Sequence, residues 1–218
     1  MKSIHISQPT CWLKFPVISL ITTAASLIIY LCSGAATFLQ YDRALIAGGE
    51  YWRIFTGHWT HWSFDHFLWC SLTFLVLGSI GEKLSRKGFV ITILASAVII
   101  PAVNWQAAPT MLYYRGLSGI CSGVFITASI LLIRNAIANK DLINTILPAA
   151  GCVFFIAKII YEFISGQAIF VHSDATFTPM PLAHLTGGAV GLITSMLLIS
   201  GTQRQAAGQE PLGTCINL

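Results

Sequence analysis

The sequence predicts an all-α fold, a polytopic bundle of six transmembrane helices in one domain, on three observations. Of the 218 residues, 55% are hydrophobic and only 9% charged, where a typical soluble protein has about a quarter charged. The apolar residues gather into six runs, at 15–39, 64–80, 89–103, 118–133, 142–164 and 181–200. The basic residues divide unequally between the connecting segments. If the amino terminus is cytoplasmic, that side receives Lys2, Lys14, Lys83, Arg86, Lys87, Arg134, Lys140 and Arg204, and the other side only Arg43, Arg53 and Arg115. A net charge of +4 spread this way orients a membrane protein and gives no sign of a nucleic-acid surface.

A backbone that crosses lipid must satisfy its own polar groups, and long unbroken apolar runs favour helices over the period-two pattern of barrel strands. Residues 1–14 are expected to form a cytoplasmic amino-terminal segment. Lys14 followed by an apolar run mimics a secretory signal, but the run is longer than a usual signal core and further spans follow, so it reads as an uncleaved first helix. About 20 helical residues cross the hydrocarbon, so the first, fifth and sixth runs suffice alone. The second, third and fourth reach that length only if flanking polar residues such as Glu82 or Ser118 sit near an interface or face a wet interior. The membrane domain is expected over 15–201, and 202–218 is expected to be a polar, disordered cytoplasmic tail. Both termini then lie in the cytoplasm, with Trp52, Trp59, Trp62 and Trp105 as anchors at the outer interface.

The six cysteines, Cys11, Cys32, Cys70, Cys121, Cys152 and Cys215, are scattered and mostly inside apolar runs. Without paired or metal-ligand spacing they read as packing residues or free thiols. His58, His61 and His66 lack a Cys, Glu or Asp that completes a ligand set, and Asp65 reads as a helix cap, so no metal and no cofactor is expected. Lys158 and Glu162, four apart in the fifth run, are expected to pair and so lower the cost of placing both in a span.

The informative residues are those that lipid-facing helices avoid. His61 and His66 open the second span, Ser118 opens the fourth within Gly116-Leu117-Ser118-Gly119, and His184 opens the sixth. In this topology all of them fall near the outer ends of their helices. A serine hydroxyl becomes a useful nucleophile when a nearby imidazole takes its proton. Ser118 and His184 form such a pair if their helices pack together, and Gly119/Gly123 and Gly187/Gly191 supply small faces that permit the approach. Each feature also has a structural reading: a helical serine often bonds back to its own backbone, and His184 alone fits a buried hydrogen-bonding residue.

Together, Trp52-Arg53-Ile54-Phe55-Thr56, His61, His66, Gly116-Leu117-Ser118-Gly119 and Ala183-His184-Leu185-Thr186-Gly187 with Gly191 resemble the rhomboid intramembrane serine proteases, over roughly 42–200. The resemblance implies that Ser118 is the nucleophile and His184 its general base, without a third acidic member; neither segment offers an Asp or Glu beside His184. It also implies that His66, Cys70, Gly116 and Ser118 occupy oxyanion and substrate-binding positions. Two residues depart from the family's pattern: Cys70 stands where many members have an asparagine donor, and Ser122 where many have a tyrosine against the catalytic histidine. The expected activity is cleavage of single-span or tail-anchored membrane proteins in or near their transmembrane segment. The expected location is a bacterial inner membrane, with the site facing outward. The small chain is also similar to the rhombosortase branch, which implies processing of carboxy-terminal Gly-Gly-type membrane tails. The alternative is a catalytically inactive relative that binds transmembrane clients.

Overall fold

The computed structural model describes residues 15–169, 171 and 179–207; the amino-terminal segment expected over 1–14 and the 208–218 part of the expected tail lie outside the described residues, while 202–207, expected to be disordered, continue the last helix. In chain order the elements are α1 (Val17–Leu31), α2 (Ala35–Leu39), β1 (Tyr41–Asp42), α3 (Arg43–Ala47), α4 (Trp52–Thr56), a 3-10 turn at Gly57–Trp59, α5 (Phe64–Leu84), α6 (Arg86–Ala107), β2 (Tyr113–Tyr114), α7 (Ser118–Ala138), α8 (Leu142–Ser165) and α9 (Pro181–Ala207). Among the described residues the protein is all-α apart from one two-residue antiparallel pairing of β1 with β2.

Among the described residues, five helices are long and apolar enough to cross a membrane: α5, α6, α7, α8 and α9. The fifth and sixth runs cross alone, as expected, and the middle three do so with their polar flanks; the first run, expected to suffice alone, does not, so six full spans are not reached among the described residues. The first run yields only the 15-residue α1, about 22 Å long against about 30 Å of hydrocarbon. It stops at Cys32, and Gly34 turns the chain with a φ of 79° before α2 begins, a conformation that glycine adopts at little cost. The middle three runs gain length because their polar flanks are helical too. α5 continues through Gly81-Glu82-Lys83, α6 takes in Arg86 and Asn104, and α7 runs on to Ala138. Hydropathy alone undercounts such helices because their polar residues point inward: Glu82 and Asn104 are fully buried.

Side-chain caps fix several helix starts by accepting the amide donors that a first turn leaves unpaired. Ser63 Oγ accepts from His66 N at 3.4 Å, Ser85 Oγ from Gly88 N at 3.1 Å, and Asp141 Oδ1 from Asn144 N at 3.1 Å. No side chain caps α1 from within its own N-terminal turn. Its first amides are met by Glu82 of α5, whose carboxylate accepts from Ile18 N at 3.3 Å, Ser19 N at 3.1 Å and Ser19 Oγ at 3.1 Å, and pairs with Arg86 at 2.8 Å.

α7 is the enclosed centre of the bundle, with α5, α6, α8 and α9 packed around it. Its closest neighbour is α9, and the two main chains touch. A Cβ built on Gly187 would lie 1.9 Å from the Gly119 carbonyl oxygen, and one on Gly191 2.3 Å from that of Gly123. Only glycine permits this approach, as the spacing of the two pairs predicts. α8 is the least enclosed helix and leaves Ile143, Leu147, Val153 and Ile164 exposed. Its inner stripe is Gly151, Phe155, Lys158 and Glu162, a run of helical spacing. Phe155 lies against Phe125 of α7, with ring centroids 5.7 Å apart, and presses on Gly188 of α9.

The contact between α7 and α9 generates a stability test. Gly187→Ala places a methyl group against a main-chain carbonyl that no rotamer change can clear, so the helices must separate, at a cost of about 1–3 kcal/mol or more. Gly201, further along α9, has open space around its would-be Cβ. Thermal unfolding in detergent micelles should show a clearly lowered midpoint for Gly187→Ala and an unchanged or raised one for Gly201→Ala; equal midpoints would contradict the packing.

Candidate active site

Three helix starts and one helix end converge on a cavity of about 710 Å³ that opens between α5, α7, α8 and α9. Ser118 is the first residue of α7, His184 lies in the first turn of α9, and His66 in the first turn of α5. All three line the cavity with Cys70, Ser122, Lys158 and Glu162. His184 Nε2 lies 3.0 Å from Ser118 Oγ. The sequence expectation that these two meet is therefore realised in the geometry, beside the contact of Gly119 with Gly187.

The approach to Ser118 is set by Gly116, which has a φ of 124°. A Cβ there would be strained, and it would also fall 2.8 Å from His66 Cε1 and Nε2 and 3.8 Å from Ser118 Oγ. The imidazole of His66 and the hydroxyl of Ser118 thus flank the same bare stretch of main chain. Cys70, one turn further along α5, is buried with its thiol against the backbone of Leu117 and Ser118. Ser122 does not reach the imidazole; its hydroxyl donates to Ser118 O at 2.9 Å, a bond back to its own helix.

The segment that delivers Ser118 is tied down on its amino-terminal side. Tyr114 pairs with Tyr41 across the β1–β2 ladder, and its hydroxyl donates to Gly116 O at 3.0 Å. Gly116 N donates to Gly57 O at 3.2 Å. Arg115 lies 4.4 Å over the Trp62 ring and donates to Gln40 Oε1 at 2.8 Å. Arg53, fully engaged by Glu50 at 2.7 Å and by the carbonyls of Thr37 and Gln40, holds the other side of this loop cluster. His58 is buried beneath it, with Nε2 3.3 Å from Ala97 O. Tyr114 and Gln40 were not singled out from the sequence; neither residue type in a loop signals that it braces a helix start.

One expectation is overturned. His184 does have an acidic neighbour: Glu162 Oε2 lies 2.7 Å from Nδ1. The other carboxylate oxygen, Oε1, accepts from Lys158 Nζ at 2.6 Å, as the spacing of the two residues predicts, and that ammonium nitrogen lies 3.3 Å from Nδ1. Glu162 is 2% exposed. Its place beside His184 carries no sequence signal, because it belongs to α8 and no local pattern links it to a histidine on α9. Among the described residues, no group of three or more His, Cys, Asp or Glu is placed to hold a metal ion.

A family model described as the Rhomboid domain matches residues 48–201, and the chain belongs to the rhomboid family. No curated protein matches it.

The loop cluster carries a pH signature. Burial, offset in part by the Ala97 and Gly116 backbone, lowers the His58 imidazole to about 4. His61 is lowered by burial, and next by His66, to about 3. Both values are depressed below the unfolded 6.5. The unfolded chain therefore binds protons first, and stability is fully present above about pH 6.5 and lost as pH falls from there through the folded values. His58 alone should remove about 2–3 kcal/mol between pH 7.5 and 4.5. Unfolding midpoints across this range should fall with acid in the wild type and fall less in His58→Gln; parallel curves would refute the burial of a neutral His58.

Proposed function

We propose that Ser118 is the nucleophile and His184 the general base of the rhomboid-type intramembrane serine protease that this chain is. The 3.0 Å contact between Oγ and Nε2 carries the reading. It also sets aside the alternative of an inactive client-binding relative, which has no need of a serine aligned on an imidazole.

Ser118 Oγ bonds to the scissile carbonyl carbon of a membrane-anchored substrate, its proton passes to His184 Nε2, and the carbonyl π electrons move onto oxygen. Collapse breaks the C–N bond, with the Nε2 proton going to the leaving amine. A water deprotonated by His184 then hydrolyses the acyl ester. The oxyanion is stabilised by the Ser118 amide and the His66 ring N–H, with Gly116 leaving space for the substrate main chain. The crowding of His66 against Gly116 supports that assignment. Cys70 contributes weakly, since a thiol is a poor donor.

A peptide must unwind to reach this site. Each glycine weakens a helix by about 1 kcal/mol relative to alanine, so substrates with small, helix-breaking residues near the cut are favoured. Gly-Gly-type tails, the rhombosortase-like reading, fit this requirement. The site-bearing end of the bundle also carries Trp59, Trp62 and Trp105, while Lys83, Arg86, Lys87, Arg134 and Lys140 gather at the opposite end. This supports both termini in the cytoplasm of a bacterial inner membrane and an outward-facing site. α1 is read as a sixth, short crossing, accommodated by local thinning of the bilayer.

Purified wild type should cleave a single-span substrate bearing a Gly-Gly tail, and folded Ser118→Ala should not; equal cleavage by both would end the assignment. On the same substrate, His66→Ala should lower kcat and kcat/KM together by about 10²-fold or more, and Cys70→Ala by less than about 10-fold. For topology, a reporter inserted near Lys140 should read as cytoplasmic and one near Pro109 as external. The opposite pattern would invert the orientation.

A further inference from the structure

The geometry points to Glu162 as the positioning residue of His184, held ionised inside the bundle by Lys158, so that the site is a Ser118–His184–Glu162 line and not a bare pair. This rests on the reading of Ser118 as nucleophile.

The shorter of two contacts selects the hydrogen-bond arrangement at Nδ1. Nδ1 faces a carboxylate oxygen at 2.7 Å and an ammonium nitrogen at 3.3 Å. A carboxylate has no proton to donate and an ammonium has no lone pair. The ammonium already donates to Oε1 at 2.6 Å. The shorter contact to Oε2 therefore requires Nδ1 to carry the proton. A neutral imidazole has one N–H, so Nε2 is left with its lone pair facing Ser118 Oγ at 3.0 Å. The opposite tautomer would set two lone pairs against each other at Nδ1 and aim an N–H at the serine, where it cannot take the serine proton. When His184 does take that proton, the positive charge lies beside Glu162, which stays ionised throughout.

Burial explains the lysine. A carboxylate at 2% exposure within a span is costly unless a charge partner and hydrogen bonds compensate it. Glu162 has both of its oxygens engaged, one by Lys158 and one by His184. The pair lies on the inner stripe of α8, the face that Phe155 packs against α7 and α9. A lysine–glutamate pair serving only to neutralise itself has no need to be seated on the far nitrogen of a histidine that contacts a serine.

The test compares wild type, Glu162→Gln and the double variant Lys158→Met/Glu162→Gln, whose neutral pair leaves no unpaired charge in the span. Steady-state cleavage in liposomes, thermal unfolding and ¹⁵N NMR of histidine-labelled protein are measured on each, with His184→Ala to assign the signal. The expected result is a folded double variant with kcat lowered by about 10²-fold or more and KM within about threefold of wild type, since only the transition state is affected. Glu162→Gln alone should lose at least as much as the double, because it also leaves the Lys158 ammonium unpaired beside His184. The wild-type His184 signal should be that of the Nδ1–H tautomer, and both variants should lose it. A folded double variant with wild-type kcat, or a wild-type signal from the Nε2–H tautomer, would overturn the role. Absence of Ser118-dependent cleavage in the wild type would instead strike at the nucleophile assignment, and the NMR result would still decide the proton's place on His184.

Discussion

Everything at the site depends on how closely the main chains of α7 and α9 approach. Ser118 and His184 sit at the starts of different helices, 66 residues apart in sequence. Their side chains are short compared with the usual 8–10 Å between packed helix axes. The glycines at 119, 123, 187 and 191 remove the side-chain layer that would otherwise keep the helices apart. In lipid this is also an economical source of association, because apolar side chains gain little by leaving a hydrocarbon solvent and dispersion between closely fitted surfaces must do more. A hydrogen bond of 3.0 Å between two helices thus reflects a row of absent Cβ atoms below it.

The same bundle places several polar groups where lipid would penalise them, and pairs some of them locally. Thr92 and Thr127 bond to each other at 2.9 Å, and Thr127 also donates to Gly191 O at 3.2 Å, just beneath the glycine contact. Glu82 is surrounded by donors at one end, and Glu162 by Lys158 and His184 toward the other. The inward turn of these groups leaves α8 with an almost entirely apolar outer surface, while one stripe of it reaches a water-accessible cavity. Hydrolysis needs both properties: a helix that tolerates lipid on its back and a site that admits water in front.

Much of this was legible before any coordinates. Ser118, His184 and His66 stand out because hydroxyl and imidazole groups at helix starts are conspicuous in an apolar sequence, and paired glycines four apart announce close helix contact. Span lengths were less legible. A run of apolar letters does not reveal that Gly34 will take a positive φ and end the first helix early; the inward turn of Glu82 that lengthens the second run stands there only as a condition, and Asn104 gives no such signal. Glu162 was misread for a different reason. Its spacing from Lys158 offered a complete local explanation of its charge, and its contact with His184 exists only after α8 and α9 are packed. Tyr114 and Gln40 carry no signal at all, since their function is to brace a loop against partners distant in sequence.

The Glu82 cluster bears on how the protein is made. α1 is too short to settle firmly across a bilayer, and the amides of Ile18 and Ser19 in its first turn have no side-chain cap of their own. The carboxylate that accepts them belongs to α5, which leaves the ribosome more than sixty residues later. That carboxylate in turn depends on α1 and Arg86 for its compensation. During biogenesis neither helix therefore has a fully satisfied place in the membrane alone; they become stable as a pair, and the first segment inserted is not the first to be secured.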